Sequence, residues 1–400
     1  MFTEVQIENY KSIQSLKIGL GRVNVFIGEN GCGKSNILEA IALAGAAAGN
    51  KLDNEFLAPR GIRVTEPEFM RSAFDKENVS KEIKINLEIT DKTILDFRLQ
   101  NNNQPYSKWI VVNTLNQKKI VDSWKEQQVD DLLLDYMSKH LKYLITTMDQ
   151  FKKQEIDLED DGKYSLQYMN QVSTNLEKGN LEIARFLIYS PNNSSLRTFE
   201  EEGQIQPLGA KGQGLLKLLR VLNSSQDKIN VIKKKLELID WFDDFKVPDS
   251  NLERIIQIKD RYLDEELPYF NQRSSNEGFL FLMFYFALFV SKDTPKFFAI
   301  DNIENALNPK LCTRLIQELV ELAKEKEYDK QVIFTTHNPA VLDGLDLSDD
   351  EQRLFVIYRN VDGHTKARRI SAPEPLEGDD PVRLSEAFIN GYLGGLPKNF

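Results

Sequence analysis

Cysteine is scarce in this chain: two residues, Cys32 and Cys312, among 400. They supply neither a disulfide framework nor the paired spacing of a metal-ligand set, and both read as reduced thiols. Long apolar runs are missing too. The longest, Phe279 to Val290, falls short of the ~20 residues a membrane-spanning helix needs and predicts a buried core helix instead. The start, Met1-Phe2-Thr3-Glu4-Val5, lacks the basic and apolar blocks of a signal peptide, so the expected location is the cytoplasm, with no membrane partner. An excess of positive charge is absent: 51 Lys and Arg against 61 Asp and Glu give a net charge of −10. That excludes a surface basic all over and leaves room only for a local basic groove. No internal repeat or low-complexity tract is present. What remains, 41% hydrophobic and 28% charged residues, is the composition of a globular protein with one large or two medium domains.

Against that background one stretch stands out. Gly28-Glu29-Asn30-Gly31-Cys32-Gly33-Lys34-Ser35 fits G-x-x-x-x-G-K-[ST]. The β-rich run Val23 to Ile27 precedes it, and Asn36 to Leu43 follows with apolar residues at helical spacing. Strand, loop and helix are the context a P-loop requires. Glycines permit a tight turn whose backbone N–H groups point inward, and the helix start adds its unsatisfied amides and positive dipole end. The predicted ligand is a polyphosphate with Mg2+, and nothing in the loop says which purine base it carries. Asn30, Gly31, Gly33, Lys34, Ser35 and Asn36 would hold the phosphates, with Lys34 as a point charge and the Ser35 hydroxyl in the magnesium shell.

In chain order, Phe2, Val5 and Ile7, then Ile13, Leu16 and Ile18, alternate as strands, as do Ile83 to Ile89 and Ile94 to Leu99 around a polar turn. Arg60 and Arg63 are surface arginines by default, with phosphate contact as the sharper alternative. From about Gln117 to Asn180 the pattern turns helical and charged, broken by the acidic loop Glu159-Asp160-Asp161-Gly162. A Gly-rich turn, Pro207 to Leu216, opens another helix, and residues 226 to 270 read as helical again. There Lys233-Lys234-Lys235 reads as a solvated face, with a nucleic-acid backbone as the alternative contact. The organisation expected is a Walker A lobe (1–115), a helical insertion (116–180), a return segment with the Gly-rich turn (181–225), a helical arm (226–272) and a second lobe (273–400).

The second lobe supplies what a P-loop needs next. Phe297-Phe298-Ala299-Ile300-Asp301 is an apolar strand ending in a carboxylate, a Walker B strand whose Asp301 would hold the metal with Ser35. Its continuation, Asn302-Ile303-Glu304-Asn305-Ala306-Leu307-Asn308, resembles the ABC-ATPase run of catalytic glutamate and D-loop. Gln331 to Pro339 is a further buried strand ending at His337, which resembles the switch histidine that senses the γ-phosphate. Ser274-Ser275-Asn276-Glu277-Gly278-Phe279-Leu280 resembles a degenerate ABC signature. In that family Asn276, Glu277 and Gly278 would press on the ATP of a second subunit; the bland alternative is a capped core helix. With Asn9-Tyr10-Lys11-Ser12-Ile13 near the start, the chain resembles ABC-type ATPases of the RecF/SMC/OLD-like superfamily over roughly residues 1 to 100 and 180 to 370. The resemblance implies an α/β head, a mixed β-sheet with flanking helices, that carries a helical insertion arm.

Two departures qualify that resemblance. Asn302 stands where the catalytic glutamate usually sits, and a neutral amide orients a water without taking its proton. Hydrolysis is therefore expected to be slow, or to run through Glu304 two residues on, which shares a side with Asn302 in an extended stretch. The stretch after His337 reads as too short for the TOPRIM domain of OLD nucleases, which is therefore not expected; its tail reads as a docking element or as a turn packed on the core. The Asp-Asn-Ile-Glu form looks like ATPase subunits of bacterial antiphage systems such as Septu, PARIS and retron-associated complexes. That implies a homodimer or higher oligomer formed through ATP, acting as sensor or scaffold for a separate HNH or TOPRIM-type nuclease, with DNA or a phage component as further partners. The alternative is a RecF-like DNA-binding ATPase of repair or replication. A transporter subunit is disfavoured by the degenerate signature, and a nuclease in its own right, built on Asp157 to Asp161, by the ordinary solvation of acidic loops.

Overall fold

The computed structural model describes residues 1–112, 174–199, 207–250, 252–371 and 383–394. Two sheets share one helix. The first sheet is antiparallel, ordered β2 (Ile13–Gly19), β1 (Phe2–Tyr10), β4 (Ile83–Ile89), β5 (Ile94–Gln100) and β6 (Ile110–Val111). The second runs β14 (Thr365–Ile370), β13 (Gln352–Arg359), β3 (Val23–Ile27), β12 (Gln331–Thr336), β11 (Phe297–Ile300) and β7 (Ile188–Tyr189). It is parallel except for β14.

Both faces of the second sheet are covered, so its central strands are apolar throughout. On one side Val23, Val25, Ile27, Phe298, Ile300, Val332 and Phe334 join the core around the helix Glu277–Val290. On the other side Phe26, Phe297, Ala299 and Ile333 join the core around the P-loop helix Lys34–Ala48, which the first sheet covers. That helix is buried almost all round, which explains its small side chains. At Gly45 even a Cβ would come within 2.4 Å of Ile183 O. The helix Glu277–Val290 is the buried core helix that its composition predicts. Among the described residues no helix is long and apolar enough to cross a membrane.

The segment 226–272 differs from expectation. It is helical only over Gln226–Leu236 and then forms a three-stranded antiparallel sheet, β8 (Phe242–Lys246), β9 (Gln257–Asp260) and β10 (Tyr269–Asn271). Phe242 and Phe245 reach the core three residues apart across a register shift, and Ile256 and Ile258 two apart, so no alternation runs long enough to stand out beside the helical stripe ahead of it. The insertion expected over 116–180 lies outside the described residues, apart from helical residues 174–180. The acidic stretch 157–161 lies outside them as well. Near the C-terminus, the helix Leu384–Ile389 packs on the turn Pro339–Gly344. There Ser385 donates its backbone N–H and hydroxyl to Asp343, at 2.9 and 2.7 Å, and buried Phe388 completes a turn seated on the core.

Candidate nucleotide site

Parallel register gathers three distant stretches at one edge of the second sheet. In β3 and β12 Ile27 lies opposite Thr336, so the chain leaves both strands side by side as Gly28 and His337. In β11 and β12 Ile300 lies opposite Phe334, which sets Asp301 level with Thr335. The carboxyl edge of a parallel sheet is where α/β folds bind ligands.

The loop itself is shaped by contact as well as by turn geometry. Gly28 has φ +157°, and a Cβ there would lie 2.1 Å from Ile357 O; Gly33 has φ +109°, and a Cβ there would lie 2.1 Å from Thr365 Oγ1. Gly31, at φ +76°, has nothing within 4 Å of a Cβ and sits with Asn30 at the exposed tip. Arg359 Nε braces that tip from β13, donating to Gly31 O at 2.8 Å. Beneath it a chain of hydroxyls runs inward. The Thr365 hydroxyl donates to Cys32 O at 2.8 Å and lies 2.7 Å from the Ser12 hydroxyl, to which Asn36 Nδ2 donates at 2.6 Å.

Lys34 is 5% exposed and folds back on its own loop. Its ammonium donates to Gly28 O at 2.9 Å and Glu29 O at 3.1 Å, and stands 3.4 Å from His337 Nδ1. Burial holds its pKa below that of a free lysine, against the pull of Cys32 and Asp301. His337 is likewise held below the ordinary imidazole value, first by burial and then by the Lys34 charge, both of which favour the neutral ring. Ser35 Oγ donates to Asp301 Oδ2 at 3.1 Å. Asp301 is steadied from the other side by the Thr335 hydroxyl, which in turn accepts the Asn302 backbone N–H at 2.9 Å. A hydroxyl and a carboxylate this close are hard oxygen donors that fit one Mg2+. Among the described residues no group of three or more His, Cys, Asp or Glu could hold a metal. A magnesium ion here would therefore complete its shell with phosphate oxygens and water, as that ion prefers.

Of the residues singled out in the sequence, Lys34 meets His337 and Ser35 meets Asp301, and Glu304 joins the first pair by accepting the His337 N–H at 2.8 Å. Asn302 adjoins Asp301 with φ +56°, and its side-chain amide has no partner among the described residues. Asn276, Glu277 and Gly278 are not brought to the P-loop of the same chain. They line a separate cavity of about 920 Å³ with Ala306 and Asn308. Asn276 Oδ1 caps its helix, accepting the Phe279 N–H at 2.8 Å. Arg60 is neither a surface residue nor a phosphate ligand: buried, it donates to Phe186 O and Ala184 O. Arg63 and Lys11 pair with the buried carboxylate of Glu39 on the P-loop helix. Lys233 and Lys235 are taken up by Asp244 and by Glu318 and Glu321.

Sequence reasoning missed Thr335, Thr365, Arg359 and Phe74. Thr335 stands in the quoted switch strand, and its position two residues before His337 is the signal that could have found it. Thr365, Arg359 and Phe74 carry no local signal, because tertiary pairing alone places them. Phe74 and Arg359 join Lys11, Ser12, Asn36 and Arg63 around a cavity of about 420 Å³ beside the first turn of the P-loop helix.

A P-loop, a strand-end carboxylate and a strand-end histidine on adjacent parallel strands, with the turn at Asn276 to Gly278 set apart from them, make the arrangement of an ABC-type ATPase head of the RecF/SMC kind. The family profile described as "AAA domain, putative AbiEii toxin, Type IV TA system" matches residues 23–343, and the chain belongs to that family. An uncharacterized protein of Methanocaldococcus jannaschii is 28% identical over 159 residues, 38% of this chain and 70% of that protein. The DNA replication and repair protein RecF of Bacillus cereus is 31% identical over 88 residues, 21% of this chain and 22% of RecF. The chain thus matches less than a quarter of the length of RecF. An SMC head bound to the C-winged helix domain of ScpA superposes with a TM-score of 0.55 at 13% identity, covering 92% of this chain and 97% of that one, which is agreement in fold.

Proposed function

We propose that this ATPase binds ATP with Mg2+, dimerises on it and serves as sensor or scaffold for a separate effector nuclease in bacterial antiphage defence. Lys34 exchanges its two loop carbonyls for phosphate oxygens, and Ser35 and Asp301 hold the magnesium, which screens phosphate charge when bound. His337, beside Lys34, reads the γ-phosphate, and Asn302, next to Asp301, places the water. The cavity beside Asn36 takes the remainder of the nucleotide. Asn276 to Gly278 meet the nucleotide of a second copy, which gives their separation from the chain's own P-loop a use. The observation that most supports this reading is the 3.1 Å approach of Ser35, the residue after Lys34, to Asp301. The defence setting draws support from the family description, "putative AbiEii toxin, Type IV TA system", and the separate effector from the resemblance of the Asp301 to Glu304 run alone.

Equilibrium binding of labelled ATP to the native chain and to Lys34→Ala tests the first step. Removing the charge should lower affinity at least about 100-fold, since charge-assisted hydrogen bonds contribute about 1.5–3 kcal/mol each; undiminished affinity refutes the site. ATP-dependent dimers of the native chain by light scattering test the second step. The RecF similarity favours a second reading, a DNA-binding ATPase of repair. Salt-dependent binding to plain duplex DNA without a partner would support that one instead.

A further inference from the structure

Glu304 is held in a way that does not suit a proton acceptor. Its Oε1 accepts the His337 backbone N–H at 2.8 Å. Its Oε2 is sealed from solvent and has no hydrogen-bond donor. A general base needs an oxygen within hydrogen-bond reach of the water it deprotonates, directly or through one more water. In this carboxylate Oε2 is closed off by protein, and Oε1, already held by the backbone, has only its second lone pair to offer a water.

The surrounding turn explains what the carboxylate does instead. Ile303 N donates to Thr335 O, Asn305 N to Asn302 O and Leu307 N to Glu304 O, at 3.0–3.1 Å. Asn302 and Ala306 take left-handed φ angles of +56° and +62°. On its other side the turn rests on the signature, where a Cβ on Gly278 would come 3.1 Å from Ala306 O. Asn305 and Ala306 are exposed at its tip. One tightly tied turn therefore joins the start of the signature helix to the end of the switch strand. Glu304 is its side-chain hold on His337.

We propose that Glu304 is a positioning residue, not the base. It fixes the His337 backbone, and with it the imidazole beside Lys34, and so links the exposed tip of the turn, where a second copy would press, to the nucleotide. This rests on the reading of the site as an ATP site. It resolves the choice left between Glu304 and Asn302: no carboxylate of this turn serves as base, and hydrolysis is slow.

The test is single-turnover hydrolysis of γ-labelled ATP by the full chain and by Glu304→Gln and Glu304→Ala, with ATP affinity, thermal unfolding and the pH–rate profile measured for each. A glutamine oxygen can still accept the His337 N–H, so Glu304→Gln should keep the rate within about threefold and leave the pH profile unchanged. Alanine cannot, and displacing a catalytic group by about 1 Å can cost about 100-fold. Glu304→Ala should therefore lose at least about tenfold in rate, with ATP affinity within about threefold of the native value. A glutamine variant as inactive as the alanine variant, with affinity intact, overturns the positioning role, because only loss of a base affects both alike. An alanine variant with the native rate, or a native chain that binds ATP and never turns it over, overturns it as well. A native chain that fails to bind ATP refutes the ATP site itself, a separate failure that the affinity measurement identifies.

Discussion

Two glycines of the same loop should respond very differently to one added methyl group. Gly33→Ala forces a left-handed φ of +109° on a residue with a side chain and drives its Cβ to 2.1 Å from Thr365 Oγ1 and 3.0 Å from Ser12 Oγ. Gly31→Ala meets a similar backbone demand, at φ +76°, with nothing within 4 Å. The backbone penalty alone is about 1–2 kcal/mol and falls on both variants. At Gly33 the hydroxyl of Thr365 must also move, giving up its bonds to Cys32 O and Ser12 Oγ. Two hydrogen bonds at about 1 kcal/mol each add about 2 kcal/mol, a factor of about 30 in the unfolding equilibrium. Urea unfolding followed by circular dichroism should therefore place Gly33→Ala about 2 kcal/mol below Gly31→Ala. In a Thr365→Ala background the gap should close by more than half, because the colliding hydroxyl is gone. Equal stabilities of the two variants, or a gap that survives the loss of Thr365, would refute the argument that β14 sets the shape of the loop.

Two further tests probe the interior. His337 has a lowered pKa in the folded state. The unfolded chain therefore binds the extra proton first as pH falls through about 6.5, and stability drops with acidification in that window. His337→Gln should flatten this acid limb of the stability–pH curve; an unchanged slope would mean the ring is not held neutral. Lys330, 1% exposed, donates its ammonium to Ser291 O at 2.7 Å and Thr294 Oγ1 at 2.9 Å, with Thr294 O and Pro295 O at 3.3 Å. Lys330→Met leaves those carbonyls without their donor and should destabilise the fold by about 2–4 kcal/mol, with ATP affinity unchanged in the folded protein. A melting temperature equal to the native one would show that the carbonyls find other donors.

The sequence by itself marked the residues of the candidate nucleotide edge. Gly28 to Ser35, Asp301 and His337 are each legible because each ends an apolar strand, and a buried parallel strand leaves the same continuous apolar trace wherever it occurs. It likewise marked the helix from Glu277 to Val290 as core. What it left open is what depends on register and long-range approach. The pairing of Ile27 with Thr336 and of Ile300 with Phe334 decides that His337 meets Lys34 and that Thr335 steadies Asp301. The descent of β14 onto the loop decides which glycine is indispensable. A helical stripe at 226–236 concealed three short strands behind it, because five, four and three residues are too few for a period of two to declare itself. The two carboxylates of the Asp301 to Glu304 run look alike as letters. Sequence order assigned Asp301 to the metal and left Glu304 open as a base; tertiary structure set Asp301 beside Ser35 and tied Glu304 to the backbone of His337.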